Sequence, residues 1–310
     1  KLYDALRQSF NIPALKAWQS TKENAGNDAP KEFAEKVGLE YEGDIGPSEV
    51  LGGSASEFSP TQLASAFASI ANGGEYNNAH SIEKVEKQDG EVIEYDHTSK
   101  KAMKDSTAYM LAEVLKGTFE AYGSAYGHDI SGVNIGAKTG TGTYGQQTYQ
   151  QYNLPDDAAK DVWVNGFTPK YSMSVWMGFN EVKQGGTNSF VGSDEQEYPQ
   201  FLLEDVMSTI SPRDGEDFTK PDSVSGDSKD NLSVKGESDD NTTDKDPKGQ
   251  GNNSDSDSDS DNDSDSNSSS NNNTGSTNTN NTSGTNTTNA NGTNTTNANR
   301  SGTATSNSTQ

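Results

Sequence analysis

The sequence predicts an α/β (α+β) fold: an antiparallel sheet flanked by helices, followed by a disordered tail. Three observations lead there. The first half is dominated by helix patterns with clear start and stop signals. Three strand-like runs, Asn134 to Thr143, Val162 to Thr168 and Ser172 to Phe179, then follow closely before a last helix. Finally, composition breaks near Pro221: no aromatic residue follows Phe218 and no large aliphatic one follows Val234.

Taken in order, Tyr3 to Leu6 runs as a helix into Ser9, and Ile12 to Trp18 resumes as a helix with Pro13 near its first turn. Pro30 to Val37 reads as a short helix closed by Gly38. Ser59-Pro60-Thr61-Gln62 is a helix start, with Ser as N-cap and Pro at the first helical position. It opens an amphipathic helix with Leu63, Ala66, Phe67 and Ile70 on one face, stopped by Asn72-Gly73-Gly74. Ser81 to Tyr95 alternates around Asp89-Gly90, a hairpin turn signal. Asp105 or Ser106 is expected to cap a helix over Thr107 to Thr118. Only Pro169-Lys170-Tyr171 separates the last two strands, so they are expected to be antiparallel neighbours, and Glu197-Tyr198-Pro199 starts a helix through Ile210. Tyr144 to Leu154, rich in Tyr and Gln, reads as a surface loop whose tyrosines pack on the sheet or line a cleft, and Trp18, Trp163 and Trp176 are expected in the core.

Two regions follow: a folded domain over residues 1–221 and a tail over residues 222–310. From Asn252 the tail is a Ser-Asp alternation and then Asn-Thr-Gly-Ser repeats, which cannot bury enough apolar surface to offset an ordering cost of about 1–2 kcal/mol per residue. The whole chain carries a formal charge of -24; 14 acidic against 5 basic residues from Asp222 on account for -9, leaving -15 for the domain. Such acidity argues against a nucleic-acid partner and against docking on anionic lipid, both of which need clustered Lys and Arg. The chain has no Cys, and His80, His97 and His128 stand apart without ligand spacing, so neither a metal nor another cofactor is expected. No apolar run is long enough to span a membrane. The first residue is Lys in what reads as mid-helix, so a longer chain is expected, with any membrane anchor upstream.

Two short motifs carry chemistry. Ala137-Lys138-Thr139-Gly140-Thr141-Gly142-Thr143 combines a fixed cation, hydroxyl donors and glycines that let a backbone edge approach a ligand, a combination suited to gripping a carboxylate. Ser9 and Asn11 sit two apart at a helix-to-helix corner, so both polar side chains can face one cleft. Strand alternation places Thr139 and Thr141 on one side and Lys138 on the other unless the strand twists at Gly140.

With Leu51-Gly52, Phe58-Ser59-Pro60, Ala71-Asn72-Gly73-Gly74 and Val162-Trp163-Val164-Asn165-Gly166-Phe167-Thr168-Pro169, these motifs resemble the transpeptidase domain of class A penicillin-binding proteins, the staphylococcal members above all. The resemblance covers residues 1 to about 221. It implies the fold of serine β-lactamases and penicillin-binding transpeptidases, and D,D-transpeptidation of D-Ala-D-Ala stem peptides on the outer side of the bacterial cytoplasmic membrane. Ser9 would relay a proton and Asn11 would hold the substrate amide. Lys138 with Thr139 and Thr141 would bind the terminal carboxylate, Gly140 being part of the same substrate-binding edge, and the Thr141 N–H would complete an oxyanion hole. Peptidoglycan stem peptides and β-lactam antibiotics are the implied partners, with other cell-wall synthesis proteins beside them. The sequence departs from the family in one respect. The nucleophile belongs to a Ser-x-x-Lys helix upstream of the Ser-x-Asn triplet, whereas the only such spacing here, Ser81 to Lys84, lies downstream in an expected hairpin. The nucleophile and a glycosyltransferase domain are therefore expected before Lys1. Two alternatives remain at this level: a serine β-lactamase, for which Glu40, Glu42 and Glu49 are unmarked candidate bases, and a non-catalytic wall-binding or scaffolding domain.

Overall fold

The computed structural model describes residues 1–53, 57–94, 97–229 and 231–236. Helices α1 (Leu2–Arg7), α2 (Asn11–Ala25), α3 (Ala29–Lys36), α4 (Pro47–Val50) and α5 (Pro60–Ala71) come first. Short strands β1 (Glu75–Tyr76), β2 (Lys84–Glu86), β3 (Val92–Glu94) and β4 (Lys100–Lys101) lead to α6 (Asp105–Lys116) and a 3-10 turn at Gly117–Phe119. Then come β5 (Gly136–Thr143), α7 (Gln146–Tyr152), β6 (Ala159–Phe167), β7 (Ser172–Gly178), α8 (Gly192–Gln196), α9 (Tyr198–Ile210), β8 (Val224–Ser225) and β9 (Ser233–Val234).

Strands β5, β6 and β7 form one antiparallel sheet in that order, so β5 is an edge strand. Residues paired across antiparallel strands share a face, which sorts the sheet into two surfaces. Ala137, Thr139 and Thr141 pair with Gly166, Val164 and Val162, and these with Met173, Val175 and Met177. This surface builds the main core with Leu203 and Met207 of α9, Ile135 and Phe119. Gly166 lets α9 approach: a Cβ there would stand 2.7 Å from the Leu203 side chain. On the opposite surface Phe167 is fully buried against Ile70 of α5 and Ala112 and Leu115 of α6. Helices thus cover both faces, as expected from the order of elements.

The α5 start follows the sequence closely. Ser59 Oγ accepts from the Gln62 N–H while the Gln62 side chain accepts from the Ser59 N–H, a reciprocal capping box. The β2–β3 hairpin turns at Asp89-Gly90, with Gly90 at φ 88 and the Lys87 N–H bonded to the Glu91 carbonyl. Its expected last residue, Tyr95, lies outside the described residues.

Five expectations change. Helix α6 begins at Asp105, with Lys104 as N-cap and no side-chain cap, because Asp105 Oδ1 turns to the Ser106 N–H. The expected loop over 144–154 contains α7, held by the Tyr149 hydroxyl on the Ala158 carbonyl at 2.5 Å and by the edge-on ring of Tyr144. None of the three Trp is fully buried: Trp176 is 41% exposed, packs its ring 6.0 Å from that of Trp163 and donates to Asp161, while Trp18 donates to the Ile45 carbonyl. Structure also continues past Pro221, where β8 and β9 pair and Val224 is 2% exposed, so the domain edge at 221 falls short. Fifth, the histidines do not all stand apart, since His80 and His97 stack with ring centroids 3.5 Å apart. The tail from residue 237, with its Ser-Asp run, lies outside the described residues. Among the described residues no helix is long and apolar enough to cross a membrane.

Candidate active site

The α1–α2 corner places Ser9. Helix α1 ends at Arg7, the Phe10 N–H bonds to the Ala5 carbonyl at 2.9 Å, and the Ser9 N–H bonds to the Leu6 carbonyl at 3.1 Å. That pair of bonds is the Schellman ending of a helix, in which the residue after the cap adopts the left-handed conformation usually given to Gly. Here it is Ser9, at φ 59. A non-Gly residue held there carries backbone strain on the order of 1 kcal/mol or more, which Gly would avoid. The hydroxyl that comes with this strain projects from the corner toward β5. Arg7 fixes the corner from behind, donating to the Ala121 carbonyl while its own carbonyl accepts from the Ser124 N–H at 2.9 Å.

Lys138 comes from the edge strand. It pairs with Asn165 of β6 and so belongs to the surface that carries Phe167 rather than to the α9 side. Its Nζ donates to Ser9 Oγ at 2.5 Å and to the Thr139 carbonyl at 2.8 Å. The two motifs, 129 residues apart in sequence, therefore meet through one hydrogen bond. Burial desolvates the ammonium and pushes its pKa down from 10.5 to about 8. Among the described residues no carboxylate lies within ion-pair distance of Lys138. An ammonium has three donors, and two are used. What remains is a desolvated cation with a free donor and no counter-ion, a site that gains from an incoming anion.

The other sequence candidates stand differently. Asn11 is exposed at the first residue of α2, close in sequence to Ser9, and has no hydrogen bond to Lys138 or Thr139. Thr139 and Thr141 share the opposite surface with Val164 and Val162, as plain strand alternation requires. Gly140 does not reverse this; it pairs with Trp163, and a Cβ there would sit 3.3 Å from that of Trp163. The register shift in β5 comes later, between Gly142 and Thr143. Ser81 precedes β2 on the exposed hairpin, remote in fold order from β5.

Sequence reasoning missed the neighbours of Lys138. Asn165 and Ser174 stand in one cross-strand row with it, and the buried Asn165 Oδ1 and Ser174 Oγ have no hydrogen-bond partner. The only signal was a polar Asn within the apolar run Val162 to Phe167.

The antiparallel sheet with helices on both faces has a counterpart among the solved penicillin-binding proteins. The solved structure of the penicillin-binding protein PonA1 from Mycobacterium tuberculosis superposes with a TM-score of 0.57 at 23% identity, over 71% of this chain and 59% of that one. Residues 1–208 match the penicillin binding protein transpeptidase domain, and the chain belongs to that family. Penicillin-binding protein 1A/1B of Bacillus subtilis is 33% identical over 223 residues, which are 71% of this chain and 24% of that protein. Penicillin-binding protein 1A of Streptococcus pneumoniae is 32% identical over 183 residues, 57% of this chain and 25% of that protein. The chain thus spans about a quarter of the length of these curated relatives.

Proposed function

We propose that this chain supplies the carboxylate-gripping and proton-relay part of a serine-type peptidoglycan D,D-transpeptidase, acting outside the cytoplasmic membrane on D-Ala-D-Ala stem peptides and inhibited by β-lactams. The observation that carries the reading is the unpaired, desolvated Lys138 ammonium on Ser9 Oγ. A substrate or penicillin carboxylate would complete its donor set. With a pKa near 8, Lys138 also exchanges a proton near neutral pH, so Ser9 can pass one between Lys138 and a leaving nitrogen. Asn11 is assigned to the substrate amide and the Thr141 N–H to the oxyanion, while the Thr139 and Thr141 hydroxyls, on the surface opposite Lys138, are assigned to a carboxylate lying across the open edge of β5.

No Ser-x-x-Lys on a helix lies among the described residues. The acylated serine is therefore assigned to sequence outside residues 1–310, together with a glycosyltransferase domain and a membrane anchor. In motif pattern the chain resembles staphylococcal penicillin-binding protein 2. Crosslinking of peptidoglycan, alongside other cell-wall synthesis proteins, follows from that assignment.

The test is acylation by a fluorescent penicillin. The full-length protein should form a covalent adduct and the 310-residue chain alone should not. Lys138→Ala should slow acylation by about 10²–10³, the usual cost of removing one preorganised electrostatic partner, whereas Asp255→Ala should not change it. An unchanged rate in Lys138→Ala would refute the strand-edge role. A full-length protein that never forms an adduct would leave the non-catalytic wall-binding reading.

A further inference from the structure

The segment between β1 and β4 is an excursion from the domain. Among the described residues, strands β2 and β3 pair only with each other, and their residues are almost all exposed. A lone two-stranded hairpin is marginal in water and needs something to hold it. At its base the chain brings together His80, just before β2, and His97, just after β3. The two imidazoles stack with centroids 3.5 Å apart and planes 13° from parallel. Both turn their Nε2 atoms to one carboxylate: Glu83 Oε1 is 3.2 Å from His80 Nε2 and Oε2 is 3.9 Å from His97 Nε2.

From this geometry we infer that His80, Glu83 and His97 form a binding site for a divalent transition metal of the zinc class, which staples the base of the β2–β3 hairpin. The three ligand atoms lie within 4.8 Å of one another. Tetrahedral zinc, with bonds of about 2.0–2.2 Å, needs its ligand atoms about 3.3 Å apart, so His80 and Glu83 are already spaced for it, while the His97 ring has to turn out of the stack for both imidazole lone pairs to converge on one ion. Two further details favour an ion over simple packing. The His80 Nδ1 lies 3.2 Å from the Asn78 carbonyl, the outer contact that fixes a metal-ligating imidazole and leaves its Nε2 for the metal. The His97 Nε2 is buried and has no hydrogen-bond partner, since 3.9 Å to Glu83 is too long for one. Two imidazoles and a carboxylate suit zinc and its neighbours rather than magnesium or calcium, and the exposed Glu83 side leaves a fourth position for water.

The experiment is calorimetric titration of ZnCl₂ into the whole purified chain, in millimolar Mg²⁺ so that oxygen-only sites on the acidic surface and tail are occupied. One zinc per chain is expected. His80→Ala and His97→Ala should each weaken that binding at least tenfold, and Glu83→Gln should weaken it measurably. Cobalt substituted for zinc should give the visible absorption of a tetrahedral site, a readout on the unmodified chain that stands even if a variant misfolds. Amides of Val85 and Ile93, which face each other in the hairpin, should become more protected from hydrogen exchange when zinc is added. Equal zinc binding by the wild type and a His80→Ala/His97→Ala double variant, an octahedral cobalt spectrum, or no zinc uptake would overturn the site. Zinc binding without added protection would overturn the staple.

Discussion

Replacing Lys138 with Met should make the protein more stable at neutral pH while disabling the site. The unfolded chain holds the Lys138 proton up to its ordinary value of 10.5, whereas the folded protein gives it up at about 8 because burial strips water from the ammonium. Below pH 8 both states are protonated and the folded state bears the whole cost. At 1.36 kcal/mol per pH unit, the fall from 10.5 to about 8 amounts to about 3 kcal/mol. Between the two values the unfolded state binds more protons, so wild-type stability rises with pH across that window. Met keeps the length and apolar stem of Lys without the charge. It also loses the hydrogen bonds to Ser9 Oγ and the Thr139 carbonyl, each worth about 1 kcal/mol net, so the gain at pH 7 is about 1–3 kcal/mol. Other titrating groups cancel when the variant is subtracted from wild type, and the advantage of Met should shrink by about 2 kcal/mol between pH 7 and pH 9.5. Urea unfolding at a series of pH values, with unchanged m-values, measures it. Parallel stability curves for the two proteins, with no narrowing of the gap, would refute the claim that Lys138 is desolvated without a counter-ion.

Three further outcomes are expected. Ser9→Gly should be more stable than Ser9→Ala by about 1 kcal/mol, because only Gly is unstrained at φ 59, yet both should slow penicillin acylation of the full-length protein; equal stabilities by denaturation would remove the strain from the argument. Truncation after Pro221 should lower Tm by several degrees: it deletes the buried Val224 and the Lys229 contacts with Glu120 and the Tyr3 ring, where burial of one such apolar side chain contributes about 1.5–3 kcal/mol. Truncation after Gly236 should leave Tm and acylation unchanged, and a comparable loss there would show that residues beyond 236 stabilise the domain.

Much of the fold was legible because its signals are local. The Ser59–Gln62 capping box, the Asp89-Gly90 turn and the short link between β6 and β7 each act within a few residues, and each stands where the sequence implied. The reading failed where the decisive partner lies elsewhere. Helix α7 has no apolar period of its own and is held by Ala158, beyond its C-terminus. The hairpin after Pro221 is polar in composition, and Val224 finds cover only in the folded chain. The tryptophans look like core residues by type, but the outer end of the β6–β7 surface leaves Trp176 41% exposed.

The candidate site divides in the same way. The sequence by itself determined that a Ser sits at a helix corner and a Lys on a glycine-flanked strand, and that Thr139 and Thr141 face away from Lys138, because strand alternation is a property of the backbone. Only the tertiary structure decided that Ser9 Oγ and Lys138 Nζ lie 2.5 Å apart, that the ammonium is desolvated to a pKa of about 8, and that His80 and His97 stack. Desolvation and contacts between distant segments depend on the path of the whole chain through space, and no window of residues contains that path.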